Sequence, residues 1–111
     1  MNANECTSET LGDYVLVRLK GEVDLSWSQQ VRRAILDALA DTGKVGVELS
    51  EVSYIDSSGI AALVEGFQNA RSRNRKFGLV AVSAAVMAVL QLARLDRVFP
   101  IFADLDAARS A

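Results

Sequence analysis

The 111-residue sequence contains no histidine, one cysteine and one proline. Without histidine, the chain has no imidazole for a metal site, for general-base catalysis or for a Ser-His-Asp triad. The single cysteine, Cys6, cannot form an internal disulfide, which agrees with a reducing compartment, and we expect a cytoplasmic protein. The chemistry left to this chain is that of hydroxyl groups and carboxylates.

Basic charge and long hydrophobic runs are also scarce. The net charge is −2 and the pI is near 5.0, so we expect no direct binding to nucleic acid. No apolar run reaches the roughly 18 residues of a membrane-spanning helix, and residues 1–10 lack the apolar segment of a signal peptide, so we expect no membrane insertion. Half of the residues are hydrophobic, which suffices for one core. We expect a flexible leader over 1–10 and one domain over 11–111.

Hydrophobic periodicity predicts strands that alternate with helices, and hence a mainly parallel sheet. Val45, Val47 and Leu49 alternate with less hydrophobic residues as in a strand with one buried face, and a polar link over residues 50–53 follows them. The remaining predicted elements are strands at 14–19 and 19–23, a helix from Ser26 to Ala40, a helix from Ile60 to Ala70, a strand at 79–82, a helix from Ala84 to Leu92, an edge strand at 98–102 with Pro100, and a final helical segment at 104–109.

The segment Asp56-Ser57-Ser58-Gly59 joins the central strand to a helix. One interpretation is a plain helix cap, because Ser and Asp oxygens accept hydrogen bonds from the unpaired N–H groups of a first turn. The other is a modification site, because a hydroxyl at such a corner is accessible to another enzyme. Phosphorylation of Ser57 would add about −1.5 to −2 charges and disturb any partner that packs there.

No enzymatic motif is evident. The sequence has no phosphate-binding glycine loop, and none of its three lysines follows a serine in a Ser-x-x-Lys motif, so we expect no cofactor and no metal. A hydrolase that uses Asp24 and Asp56 as paired carboxylates is an alternative, although acidic residues at strand ends are more often caps. Trp27 is interpreted either as a partly buried anchor or as a docking hot spot.

Two segments resemble the STAS domain family, in particular its single-domain bacterial anti-sigma-factor antagonists. Gly21-Glu22-Val23-Asp24 is similar to the family's Gly-Glu-Leu-Asp segment, and Ile55-Asp56-Ser57-Ser58-Gly59-Ile60 is similar to its Asp-Ser-Ser-Gly-Leu phosphorylation motif. The C-terminal residues 82–107 also resemble the family's closing pattern. The resemblance covers nearly the whole chain and implies an α/β fold with a four- or five-stranded mixed sheet, the first strand at an edge, and about four helices mainly on one face.

The resemblance implies a regulatory switch and no enzyme. The expected partners are an anti-sigma factor that is a serine kinase, which phosphorylates Ser57, and a PP2C-type phosphatase that removes the phosphate. The unphosphorylated protein would sequester the kinase and release the sigma factor. The partner-binding residues implied by the motifs are Asp24, Asp56, Ser57, Ser58 and Gly59, with Trp27 beside them. The alternative within the family is an adaptor subunit that binds the ATPase of an ABC-type lipid transporter.

Overall fold

A computed structural model describes residues 4–111. The strands are β1 (Glu5–Leu11), β2 (Tyr14–Val23), β3 (Lys44–Ile55), β4 (Lys76–Val80) and β5 (Ile101–Phe102), and the helices are α1 (Leu25–Asp41), α2 (Ser57–Ser72), α3 (Ala84–Leu92) and α4 (Leu105–Ser110). The strands form one sheet of order β1-β2-β3-β4-β5, with β3 in the middle. Strand β1 is antiparallel to β2, and the other neighbouring pairs are parallel. The mixed α/β sheet confirms the expected fold class.

The larger core lies between the sheet and helices α1, α2 and α3. It contains the inward residues of β2 and β3, and α1 and α2 pack closely above them because Gly66 has no side chain. A Cβ at Gly66 would lie 2.6 Å from Cγ2 of Ile35 on α1. A smaller cluster on the opposite face joins Tyr14, Leu16 and Val80 to Ala108 of α4. The helices therefore cover mainly one face, as the resemblance implied.

The predicted leader is wrong for residues 5–10, which belong to β1 and not to a flexible segment. Residues 1–3 lie outside the part of the chain that the structure describes. Strand β1 pairs with β2 from Glu5↔Lys20 to Leu11↔Tyr14, and Glu9 and Arg18 form an ion pair across it at 2.5 Å. No hydrophobic pattern predicts this strand, because most of β1 is exposed on both faces and its hydrophobic residues do not alternate with polar ones.

The predicted polar link at 50–53 is also wrong, because β3 continues to Ile55 without a break. Val52 and Ile55 are buried while the residues between them are exposed. The register between β2 and β3 shifts twice in this stretch, after Arg18 and after Gly21, and bulges of this kind disturb a simple alternation. The two strands predicted at 14–19 and 19–23 are likewise the single strand β2.

The C-terminal half agrees more closely with the elements predicted from the sequence. Helix α3 has the predicted bounds, with Ser83 as its N-cap, and α4 is capped by Asp104. The strand predicted at 98–102 is shorter, since only Ile101–Phe102 pair, but it does lie at the sheet edge. Strand β4 begins three residues before the predicted start, at Lys76. No helix within residues 4–111 is long and apolar enough to cross a membrane.

Candidate functional site

The Asp-Ser-Ser-Gly segment lies where two neighbouring parallel strands end. Val23, the last residue of β2, pairs with Ile55, the last residue of β3, and the backbone N–H of Asp56 donates to the carbonyl oxygen of Val23 at 3.2 Å. Each strand is followed by one aspartate and then a helix. The topology therefore brings Asp24 and Asp56 to adjacent positions at the C-terminal ends of the two strands, as the resemblance implied.

Asp56 is the N-cap of α2, and one of its oxygens organises the first turn. Oδ1 accepts hydrogen bonds from the backbone N–H groups of Ser58 at 2.9 Å and Gly59 at 3.1 Å, and from the hydroxyl of Ser58 at 2.6 Å. These bonds, first of all the one from the Ser58 hydroxyl, lower the pKa of Asp56, and the backbone N–H of Leu25 acts in the same direction. Asp56 is therefore a cap carboxylate held in its ionised form.

The role expected for Ser58 needs a correction. Its hydroxyl does not accept a hydrogen bond from the helix backbone; it donates to the carboxylate that does. Ser58 therefore strengthens the cap from the donor side, and it is half-buried at the start of the turn. The cap interpretation is thus correct for Asp56 and Ser58, whereas the side chain of Ser57 does not take part in the cap.

Ser57 is the first residue of α2 and is exposed. Within residues 4–111 its hydroxyl makes no hydrogen bond, since the neighbouring N–H groups already donate to Asp56. Its side chain therefore contributes nothing visible to the fold. A hydroxyl that is exposed and unengaged at a helix start is accessible to an enzyme that transfers a phosphoryl group.

The start of α1 repeats this cap. Oδ1 of Asp24 accepts from the backbone N–H of Ser26 at 3.0 Å and from its hydroxyl at 2.6 Å. The residue equivalent to Ser57 is Leu25, whose side chain is 73% exposed although it is apolar. Leu25 and Ser26 lie between the predicted site residues Asp24 and Trp27 but were not singled out in the sequence, and the signal that could have distinguished them is the repeated pattern Asp-x-Ser after each strand.

A groove between α1 and α2 begins at these two caps and has a volume of about 210 Å³. Arg32 of α1 and Glu65 of α2 pair across it at 2.7 Å, and the hydrogen bond from Arg32 lowers the pKa of Glu65. No sequence signal relates these two residues, because their pairing depends on the helix packing. We call the surface formed by Asp24, Leu25, Asp56, Ser57, Ser58 and the residues that line the groove the corner surface; the lining residues are Leu25, Ser28, Gln29, Arg32, Ser58, Ala61, Ala62 and Glu65.

Two further predicted site residues, Gly59 and Trp27, pack against the core. Gly59 is buried, and a Cβ there would lie 2.7 Å from Cγ1 of Ile55 and 2.8 Å from the carbonyl oxygen of Val23. Trp27 is half-buried against the core, and its Nε1 is buried without a partner among residues 4–111. This agrees with the interpretation of Trp27 as an anchor, while its part in docking stays a prediction.

The carboxylates of Asp24 and Asp56 are each engaged as the N-cap of a separate helix. Each accepts hydrogen bonds from its own helix start, as the preference of aspartate for caps predicted. The geometry is that of two neighbouring N-caps with an apolar side chain at one and a free hydroxyl at the other. Such a surface is suited to binding and to modification by another protein.

Comparison with known proteins agrees with this geometry. The anti-sigma-B factor antagonist of Listeria monocytogenes is 26% identical over 102 residues, which cover 91% of this chain and 90% of that protein. The crystal structure of an anti-sigma factor antagonist from Mycobacterium paratuberculosis is 26% identical, with a TM-score of 0.87 over 97% of this chain and 92% of that one. The Bacillus cell fate determinant SpoIIAA in its phosphorylated form has a TM-score of 0.75 at 21% identity, over 96% of this chain and 97% of that one, a likeness of fold alone.

The family model of the STAS domain matches residues 5–108, nearly the whole chain, from the start of β1 into α4. This match also places β1 inside the domain, in agreement with the structure. The chain therefore belongs to the STAS domain family.

Proposed function

We propose that this chain is an anti-sigma factor antagonist whose corner surface binds a kinase-type anti-sigma factor while Ser57 is unphosphorylated. Binding sequesters the kinase and frees its sigma factor. The single observation that carries the proposal is the exposed Ser57 hydroxyl, unengaged beside a completed cap. The names of relatives that match over nine tenths of their length support it.

The switch follows from the charges of the corner surface. Asp24 and Asp56 already supply two carboxylates there, and Arg32 is held by Glu65 through bonds of 2.8 Å and 2.7 Å. A phosphate on Ser57 adds about −1.5 to −2 charges to the corner surface, which also presents the exposed side chain of Leu25. A partner that covers this surface would bury that charge unpaired, which costs about 2 to 5 kcal/mol at protein interfaces.

The domain itself tolerates the phosphate. The start of a helix favours an anion by about 0.3 to 1 kcal/mol, and the Ser57 side chain makes no contact that the fold requires. Phosphorylation should therefore change binding and leave folding nearly unchanged. In the proposed cycle the kinase transfers the γ-phosphoryl group of ATP to the Ser57 oxygen, and a PP2C-type phosphatase hydrolyses the phosphoserine back to serine and phosphate.

The protein acts in the cytoplasm as a binding module and not as an enzyme. Both aspartates that a hydrolase would need are engaged as helix caps, and the residues of the corner surface include no further acid or base free to activate water. This supports a role in which other proteins carry out the chemistry.

The test is intact-mass and peptide mass spectrometry of the protein from its native cells during growth and stress, with phosphatases inhibited. We expect one phosphate on Ser57 whose occupancy changes with stress. The Ser57→Ala variant should lose it, whereas Ser58→Ala should retain it because Ser58 belongs to the cap. A phosphate on another residue, or none under any condition together with co-purification of an ABC-type ATPase, would contradict the proposal and favour the transporter adaptor.

A further inference from the structure

We propose that the end of the domain opposite Ser57 binds the surface of an anionic lipid bilayer. Helix α2 begins at Ser57, and at about 1.5 Å per residue its last turn lies about 20 Å from that serine. The contact is peripheral and needs no segment that crosses the bilayer. We call this surface the basic end, and its residues are Arg71, Arg73, Leu92, Arg94, Arg97 and Val98.

Three phenylalanine rings join the two segments that form the basic end. The ring of Phe99 lies 5.5 Å from that of Phe67 on α2 and 6.2 Å from that of Phe77 on β4, measured between centroids. The guanidinium of Arg71 lies 5.7 Å from the centroid of the Phe67 ring. The backbone N–H of Phe99 donates to the carbonyl oxygen of Leu95 at 3.1 Å and closes the turn after α3. Arginines that are distant in sequence are therefore placed at the same end of the domain.

The positive charge of the basic end is not neutralised by carboxylates. Its four arginines are exposed, and none of them forms an ion pair within residues 4–111. Residues 71–76 contain four cations and no acid, and residues 91–98 contain two arginines and one acid, the half-buried Asp96. The chain as a whole has a net charge of −2, but this end is locally positive. Clusters of arginine and lysine are attracted to the negative surface of an anionic membrane.

Exposed apolar side chains lie beside these charges. Helix α3 has no charged residue among its nine, and Leu92 at its end is 87% exposed, while Val98 after the turn is 49% exposed. The two arginines of this segment, Arg94 and Arg97, lie between them in sequence. An acidic soluble partner would pair with the arginines alone, whereas a bilayer offers phosphates to the arginines and the boundary of the acyl chains to the leucine. This combination favours a lipid surface.

The backbone at Arg94 shows that the fold alone does not account for an arginine there. Helices α2 and α3 are each followed by a residue in the left-handed region, Asn74 with φ of 58° and Arg94 with φ of 59°. Asparagine adopts this conformation more readily than most residues. Glycine is the residue that helix ends favour at such a position, because it lacks the Cβ that causes the strain. What arginine adds at this position is its positive charge.

The experiment is co-sedimentation of the full chain with vesicles of phosphatidylglycerol and phosphatidylcholine, with vesicles of phosphatidylcholine alone as the uncharged comparison. We expect binding to the anionic vesicles to be at least about tenfold tighter and to weaken as salt is added. Arg97→Gln should weaken it about fivefold, and Leu92→Ser about tenfold. The matched controls are Arg33→Gln and Leu25→Ser, which change an exposed arginine and an exposed leucine of α1 outside the basic end and should bind as the wild type does.

Arg94→Gly separates binding from folding. It should raise the urea midpoint because it relieves the left-handed backbone, yet weaken vesicle binding about fivefold, whereas Arg94→Lys should bind as the wild type does. Circular dichroism verifies that each variant is folded. Absence of sedimentation with anionic vesicles, equal affinity for both vesicle types, or wild-type affinity in Leu92→Ser would overturn the proposal, the last because charge attraction without apolar contact would indicate an acidic soluble partner. Ser57→Ala should bind vesicles as the wild type does, so this test stands apart from that of the proposed function.

Discussion

The starts of α1 and α2 are two versions of one corner. Their N-caps, Asp24 and Asp56, have nearly the same backbone angles, with φ of −113° and −106° and ψ of −173° in both. The serine two residues later donates its hydroxyl to the cap carboxylate at 2.6 Å in each case. The corners differ at the first helical position, Leu25 against Ser57, and at the third, Trp27 against Gly59.

This difference separates what the fold requires from what it leaves free. The cap uses the aspartate, the serine and the first backbone N–H groups, so the first helical side chain is unconstrained in both corners. One corner presents an apolar side chain there and the other a hydroxyl. The third position is set by packing, since Gly59 meets Val23 and Ile55 at close range, whereas Trp27 reaches the core with a large side chain.

The largest effect on stability is expected from Gly59→Ala. The added Cβ would meet Ile55 and the carbonyl oxygen of Val23 within 3 Å, and overpacking of this kind costs about 1 to 3 kcal/mol. Urea unfolding followed by the fluorescence of Trp27, the one tryptophan, measures the loss. The matched control is Gly43→Ala, since a Cβ at Gly43 meets nothing within 4 Å. Equal stability of the two variants would contradict a tight start of α2.

A smaller effect is expected from Asp56→Asn, and it depends on pH. Asparagine caps a helix about as well as aspartate, so the substitution tests the charge of the cap. Because the pKa of Asp56 is lower in the folded protein, its ionised form stabilises the fold above the ordinary pKa of about 3.9, and this stabilisation is lost as the pH falls through the lowered value.

Urea midpoints of the wild type and of Asp56→Asn near pH 7 and near pH 2 measure this dependence. We expect the wild type to be more stable than Asp56→Asn near pH 7, and we expect this difference in stability to disappear near pH 2. Asp24→Asn is the comparison from the other corner, where the carboxylate accepts from Ser26 alone. A difference between wild type and Asp56→Asn that is the same at both pH values would show that charge is not what the Asp56 cap contributes.

The N-cap of α2 and the bounds of α3 could be predicted from the sequence, because both depend on local patterns. Asp56 and Ser57 were found because a strong strand and a helix of period 3.6 flank them, and local pattern suffices for a cap. The bounds of α3 were predicted for the same reason. The resemblance to the STAS domain then supplied the role proposed for Ser57, because no local rule distinguishes a modified serine from an ordinary cap residue.

The features that were missed depend on contacts between distant segments. Strand β1 is recognisable only by its pairing with β2, because its own residues are mostly exposed. The ion pair of Arg32 with Glu65 spans 33 positions in sequence and exists only because α1 and α2 pack at Gly66. The exposure of Leu25 was not predicted for another reason: an isolated leucine at a helix start is expected to be buried, and its exposure becomes visible only in three dimensions.

The smallest effect on stability is expected from Leu25→Ser, which makes the first position of α1 like that of α2. This substitution also tests whether the two corners differ in partner binding. Since the Leu25 side chain is 73% exposed, the unfolding free energy should change by less than about 0.5 kcal/mol. Binding to the proposed partner, a kinase-type anti-sigma factor, should weaken about tenfold, because an apolar side chain of this size contributes about 1.5 to 3 kcal/mol when a partner covers it. Surface plasmon resonance measures the affinity, and Leu92→Ser, which changes a leucine 87% exposed on α3, is the control. If both variants bind as the wild type does, Leu25 lies outside the interface and the partner recognises the Ser57 corner alone.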